Sequence, residues 1–245
     1  MAKIWDKKAQ SFHGGQEHLD IDNFVCDFSI TCNLEPPMKA VFKAKEAVDE
    51  MHHYPAANFE PALGDLSTFI WGEDSQNKEL LLLGNGASEL IDLVIRSCAQ
   101  VGKWKGGDML TQYKEYERSA QVNGFEKVDA SCMDEDVNLI CLINPTNPTG
   151  DWRSREEMKE YISQSATRNT CVLVDESMQP FYGPDWRDES LVGEREWCRR
   201  MSVDMGVHVF VIHSWTKLWS CPGIRIGSII SPTPAFNFDI KSRQV

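Results

Sequence analysis

The chain has 245 residues, and 42% of them are hydrophobic, enough to bury a substantial core as one large domain with an arm. Its formal net charge of −12 disfavours nucleic acid as a partner, because nucleic-acid phosphates demand basic patches. No apolar stretch is long enough to span a bilayer, and Met1 to Asp20 is too polar for a secretory signal.

Residues 1–45 read as an N-terminal arm and residues 46–245 as one domain. The arm carries Phe12-His13-Gly14-Gly15, then Asp27-Phe28-Ser29-Ile30, Asn33 and Pro36-Pro37. His52-His53-Tyr54-Pro55 reads as an exposed turn before a helix near Pro61 to Trp71. The two histidines are sequence neighbours that would point apart, so they make no metal site. Leu80 to Leu83 reads as a short strand. Gly84-Asn85-Gly86-Ala87-Ser88-Glu89 follows and opens an apolar-periodic helix to about Cys98. A glycine turn at a helix start offers free N–H groups and a favourable dipole to an anion. A further short strand is expected near Met109, ahead of Tyr113, with Tyr116 as a packing residue of the next helix.

Leu139 to Ile143 reads as a buried strand that ends at Asn144-Pro145-Thr146-Asn147-Pro148-Thr149-Gly150. Such a loop at a strand's carboxyl end can present the Asn147 amide to a ligand; an ordinary turn is the alternative. A helix over Arg155 to Ala166 leads to a strand over Thr170 to Val174, which ends at Asp175. A buried carboxylate needs a partner, and a protonated ring nitrogen, a helix N-cap or a nearby arginine would each serve. The loop Gly183 to Asp188, a helix over Glu189 to Met205 and a strand over Val207 to Ile212 follow. That strand runs into Ser214-Trp215-Thr216-Lys217 and Pro222-Gly223-Ile224-Arg225, and Ile226 to Ile230 reads as the last strand.

A lone lysine is ordinarily a solvated surface charge. At the end of a buried strand, desolvation lowers its pKa and makes the amine a nucleophile toward carbonyls. Arg225 and the Ser214 and Thr216 hydroxyls would suit a phosphate. Together these ask for an aldehyde that carries a phosphate. The alternation of strands and helices predicts an α/β domain with a mostly parallel sheet flanked by helices, its loops gathered at the strand carboxyl ends. The eight cysteines are scattered, with no Cys-x-x-Cys pair, and Cys141 and Cys171 fall within predicted strands. This favours a reducing compartment, hence the cytoplasm, without a disulfide framework.

Asn147, Asp175, Ser214, Thr216, Lys217 and Arg225, in this order and with a step of eight residues from Lys217 to Arg225, resemble the class I/II aminotransferases of the pyridoxal 5′-phosphate (PLP) fold-type-I family. The resemblance implies a PLP-binding large domain over residues 46–245 and a transaminase that acts on an amino acid through a Lys217 Schiff base. It implies that Asp175 pairs with the ring nitrogen, Asn147 binds the phenolic oxygen and Tyr113 stacks on the ring. The phosphate would then lie on Gly86, Ala87, Ser88, Ser214, Thr216 and Arg225. Tyr54 would reach the partner's phosphate in a homodimer. The family usually has Pro-Thr before the stacking aromatic, where this chain has Thr111-Gln112.

The arm is similar to that of threonine-phosphate decarboxylases, close to histidinol-phosphate aminotransferases. The stretch before Pro36 is shorter than theirs. The similarity implies His13 and Asn33 in the substrate pocket, a substrate that can be a phosphorylated amino acid, and decarboxylation as an alternative reaction. Met178 stands where aminotransferases often carry a tyrosine that donates to the cofactor, and a thioether cannot donate. The family continues into a small C-terminal domain that supplies the carboxylate-binding arginine. No residue here matches that arginine, and Arg243 is not assigned to it. A non-catalytic chain that binds PLP or a partner subunit is therefore the rival expectation.

Overall fold

The structure is a computed structural model that describes residues 30–33, 35, 38–73, 77–97, 100–107, 112–131 and 137–244. The strands are β1 (Leu81–Asn85), β2 (Lys103–Gly106), β3 (Glu126–Lys127), β4 (Leu139–Ile143), β5 (Cys171–Asp175), β6 (His208–His213) and β7 (Ile226–Ile230). They form one sheet in the order β1-β7-β6-β5-β4-β2-β3. Every pairing from β3 across to β6 is parallel. Only β7 runs against the rest, paired antiparallel to both β6 and β1. The predicted α/β domain with a mostly parallel sheet is therefore the observed one.

The helices are α1 (Met38–Ala47), α2 (Ala62–Trp71), α3 (Ala87–Ser97), α4 (Glu115–Val122), α5 (Arg155–Ser165), α6 (Arg195–Arg200), α7 (Trp215–Leu218) and α8 (Pro234–Ser242). All residues of β4 and β5 are buried, as expected of central strands covered on both faces. Their side chains divide by the strand's two-residue period. Ile140, Leu142, Val172, Val174, Val209 and Val211 join one core layer with Leu66 and Ile70 of α2 and Met158 and Ile162 of α5. Leu139, Cys141, Leu173, Phe210 and Ile212 join the other with Leu90, Ile91 and Val94 of α3, Tyr116 and Ala120 of α4, and Ile240 of α8. Each fully buried aliphatic or aromatic side chain contributes roughly 1.5–3 kcal/mol, so these two layers are the main force that sets the register.

Local chemistry places the boundaries. Ser154 caps α5 by accepting from Glu157 N (3.3 Å), while the Glu157 carboxylate accepts from Ser154 N (2.8 Å), a reciprocal box. The helix expected over Glu189 to Met205 begins only at Arg195, where α6 runs directly into a π turn at Met201–Met205; a 3-10 turn at Leu191–Gly193 takes the place of its start. Buried Glu176 holds Leu191 N and the Ser190 hydroxyl, which fixes that first turn away from helical continuation. The Gly183 to Asp188 loop also contains structure, for Trp186 starts a 3-10 turn and is buried in the core. Met109 and Cys98 lie outside the described residues. The strand before Tyr113 is β2, made of Lys103-Trp104-Lys105-Gly106, whose lysines hid it from a search for apolar runs.

Candidate active site

The parallel strands deliver their following loops to one edge of the sheet. Ile143 pairs with Asp175 and Asp175 with Ile212, so β4, β5 and β6 end level with one another. Backbone bonds carry the register past the strands: Asn144 N donates to Asp175 O and Glu176 N to Ile212 O, each at 2.9 Å. Because β7 is antiparallel, its start, and with it Arg225, comes to this same edge. There Ile226 pairs with Asn85 at the end of β1.

Lys217 stands on the short helix α7, half-buried, and its Nζ donates to Ser214 Oγ at 3.1 Å. Burial lowers its pKa; the Arg225 guanidinium acts in the same direction and the Asp175 carboxylate opposes both. More of the amine is thereby neutral and able to attack a carbonyl. Ser214 Oγ also meets Thr216 Oγ1 at 3.0 Å, and Ser214 N donates to Ser177 Oγ at 2.8 Å. Ser177 N in turn donates to Asp175 Oδ1 at 2.8 Å. One hydrogen-bonded chain therefore runs from the buried carboxylate at the end of β5 to the lysine after β6. Ser177 is the link that the sequence alone did not reveal. Its only signal there was a hydroxyl two residues beyond a strand-end aspartate, a common turn pattern.

Gly86 and Gly227 build the adjoining nest. Gly86 has φ +79°, and a Cβ there would collide with the Arg225 guanidinium. A Cβ on Gly227 would lie 2.6 Å from Ala87 N, so α3 begins flush against β7. Arg225 is exposed, in a left-handed conformation (φ 60°), with Nη1 on Pro222 O at 3.1 Å. A free helix start beside a guanidinium is a site for an anion. Ser88 in the first turn of α3 hydrogen-bonds the Tyr113 side chain. Tyr113 has its pKa raised mainly by burial, and it also senses Asp175 and Arg225, so it belongs to the same cluster. Tyr116 is fully buried in the core, edge-on to Tyr113 at 6.4 Å.

Asn147 is half-buried and lines a cavity of about 600 Å³ together with Met178 and Thr31. Asn33 lies against the lysine loop: its N donates to Lys217 O (2.9 Å) and its Nδ2 to Leu218 O (3.2 Å). Cys32 Sγ adds contacts to the Thr216 and Lys217 carbonyls at 3.7 and 3.6 Å. Tyr54 is fully exposed and is not gathered with these residues. His13 lies outside the described residues.

Behind the site lies a second buried group that sequence reading missed. The Glu176 carboxylate accepts from Leu191 N at 2.9 Å and from the Ser190 hydroxyl, and burial pushes its pKa up to about 7. His213 Nε2 stands 3.8 Å from Glu176 Oε2, and burial pushes the imidazole pKa down to about 3. Its ring stacks on Trp215 at 4.6 Å, and Trp215 Nε1 donates to Ser228 Oγ at 2.8 Å.

No helix among the described residues is long and apolar enough to cross a membrane. The family description "Aminotransferase class I and II" matches residues 33–242. A histidinol-phosphate aminotransferase of Bdellovibrio bacteriovorus is 25% identical over 81% of this chain and 55% of its own. The chain thus spans about half the length of the curated relative it matches. The crystal structure of L-threonine-O-3-phosphate decarboxylase from Porphyromonas gingivalis shares the fold with TM-score 0.69, 18% identity, and coverage of 89% of this chain and 66% of that one. The histidinol-phosphate aminotransferase of Sinorhizobium meliloti, solved in complex with pyridoxal-5′-phosphate, shares it with TM-score 0.69 and 18% identity, over 86% of this chain and 57% of that one. With the family match extending over most of its length and its strand-end loops converging on one lysine, this chain belongs to the class I and II aminotransferases.

Proposed function

We propose that this chain is the cofactor-binding domain of a PLP-dependent aminotransferase that acts on an amino acid. The observation that carries this reading is the placement of Lys217. It is a half-buried amine with a lowered pKa, hydrogen-bonded to Ser214 and close enough to Asp175 and Arg225 to feel both charges. The donor set fits PLP: an amine for the aldehyde, a carboxylate for the ring nitrogen, an aromatic for the ring face, and a glycine-lined nest with a guanidinium for the phosphate.

PLP supplies an electron sink for charge left on the substrate's α carbon when it is bound. The chain's residues do the rest. Lys217 would hold PLP at its aldehyde carbon, and its amine would serve as the base that takes the proton from the substrate α carbon and the acid that delivers it to the carbon that bore the aldehyde. Asp175, held by Ser177 N, keeps a proton on the ring nitrogen. Asn147 donates to the phenolic oxygen without help from position 178, where Met178 has no proton to give. Tyr113 supports the ring face. Gly86, Ala87, Ser88, Ser214, Thr216 and Arg225 hold the phosphate. These contacts act in every state alike and so serve affinity and orientation.

The resemblance assigns Asn33 and His13 to the substrate pocket, and Asn33 lies against the Lys217 loop. Tyr54, exposed on its own chain, serves a partner's phosphate in a homodimer. The test is an absorbance spectrum of the purified chain with PLP, followed by borohydride reduction and peptide mass mapping. A label on Lys217 is expected, and its absence overturns the reading. Assays of amino acids then follow, with histidinol phosphate for amino transfer and threonine phosphate for both amino transfer and carbon dioxide release.

A further inference from the structure

We infer that the cavity beside Asn147 receives a flat, uncharged side chain of the substrate, with Trp152 and Tyr182 as its stacking wall. This rests on the aminotransferase reading, which puts Asn147, a lining residue of the cavity, on the cofactor beside Lys217. The cavity has about 600 Å³, room for a ring-sized group. It lies between the loop after β4 and the turn after β5, and Trp152, Met178, Phe181 and Tyr182 form its apolar lining.

Three observations point to a ring as the occupant. First, the wall is aromatic and open: Trp152, Phe181 and Tyr182 are 40%, 45% and 63% exposed. Exposed aromatic surface collected around one cavity marks a binding site. Second, the wall is held in place. The Trp152 and Tyr182 rings stack at 5.9 Å with planes 17° apart, and Trp152 Nε1 donates to Oε1 of the fully buried Gln179 at 3.3 Å. A wall fixed before binding loses little entropy when a ligand arrives. Among the described residues the Gln179 amide nitrogen has no hydrogen-bond partner, which leaves a buried donor next to the indole. Third, among the described residues no lysine, arginine, aspartate or glutamate lines the cavity. A charged side-chain group such as a phosphate would find no counter-charge in this lining. A ring loses little water and gains stacking.

The test is isothermal titration calorimetry of the PLP-loaded chain with 3-phenylpropionate, indole-3-propionate and 3-phosphonopropionate. None of these has an amine to react, and the last carries a phosphonate in place of a ring. The two aromatic acids are expected to bind, and the phosphonate not to bind and not to displace them. Trp152→Ala and Tyr182→Ala are each expected to weaken aromatic binding about tenfold, and Trp152→Phe to restore most of it. Tyr182 is largely exposed, so its variant reads the wall even if Trp152→Ala destabilises the fold. The proposal is overturned if the phosphonate binds more tightly than the aromatic acids, or if Tyr182→Ala and Trp152→Phe both leave aromatic affinity unchanged while Trp152→Ala does the same. It is also overturned if Tyr182→Ala changes the oligomeric state, for the rings would then form a subunit contact. The borohydride label on Lys217 is read on the same samples. Loss of that label in the unmodified chain refutes the cofactor reading, whereas an intact label without aromatic binding refutes the subsite alone.

Discussion

Asp175 and Glu176 are consecutive carboxylates at the end of β5, both buried, and they occupy opposite kinds of surroundings. Asp175 is tied through Ser177 and Ser214 to Lys217, and its charge is felt by Lys217, Tyr113 and Tyr116. Glu176 is tied to Ser190, Leu191 and His213, none of which approaches the lysine in a bonded chain. The two-residue period of a strand separates them: one acid is bonded toward the lysine, the other toward the loop that follows. A buried charge takes its role from its partners, which a sequence does not print.

The site side of this contrast should break first and hardest at its amine. Lys217→Ala removes the amine proposed as both nucleophile and proton carrier, so borohydride labelling and turnover should both fall below detection. Phosphate affinity, read by competition with inorganic phosphate, should persist. Retained turnover in that variant would remove Lys217 from the mechanism.

Asp175→Asn keeps the size and the acceptor for Ser177 N but removes the charge. Turnover should fall about a hundredfold or more, as for loss of a preorganised electrostatic group. Labelling of Lys217 should survive, and an equal loss of labelling and turnover would assign Asp175 to the scaffold instead. Gly227→Ala probes the nest. Its Cβ would press on backbone at Ala87, which cannot swing aside as a side chain could. Overpacking of this kind costs roughly 1–3 kcal/mol, to be read as a lowered urea midpoint together with weaker PLP binding.

Legibility follows the same division. Strands β4 to β7 and the loops that follow β4, β5 and β6 could be read directly, because unbroken apolar runs ending in Pro, Gly, Asp or Ser have few other solutions. Strand β2 could not, since the sequence gives no sign that Lys105, only 1% exposed, is an interior residue. The helix expected from Glu189 begins only at Arg195, because its first turn is fixed by Glu176, fifteen positions before Leu191. Ser177 and His213 were invisible for a related reason: their roles depend on which strand neighbours β5, and local pattern does not specify that.

The scaffold side can be broken through pH. Glu176 has a pKa raised from 4.5 to about 7, so between those values the unfolded chain gives up a proton that the folded chain keeps. Its contribution to stability is full below about pH 4.5 and is lost as pH rises to about 7, at about 1.4 kcal/mol per unit. His213 is lowered from 6.5 to about 3, so its contribution is full above about pH 6.5 and is lost as pH falls toward about 3. The two slopes oppose each other between about pH 4.5 and 6.5, where the unmodified protein should show a nearly flat urea midpoint. Each single variant should uncover the other slope. Glu176→Gln can still accept from Leu191 N, and its stability should climb with pH from about 3 to about 6.5. At pH 8 it should also exceed the unmodified chain by about 1–3 kcal/mol, because the ionised carboxylate is then gone from that buried position. His213→Phe keeps a ring to stack on Trp215, and its stability should decline from about pH 4.5 to about 7. Parallel pH profiles for all three proteins would mean that neither group titrates across folding. In that case the second acid of β5 would be a hydrogen-bond acceptor for Ser190 and Leu191, with no electrostatic part in the fold.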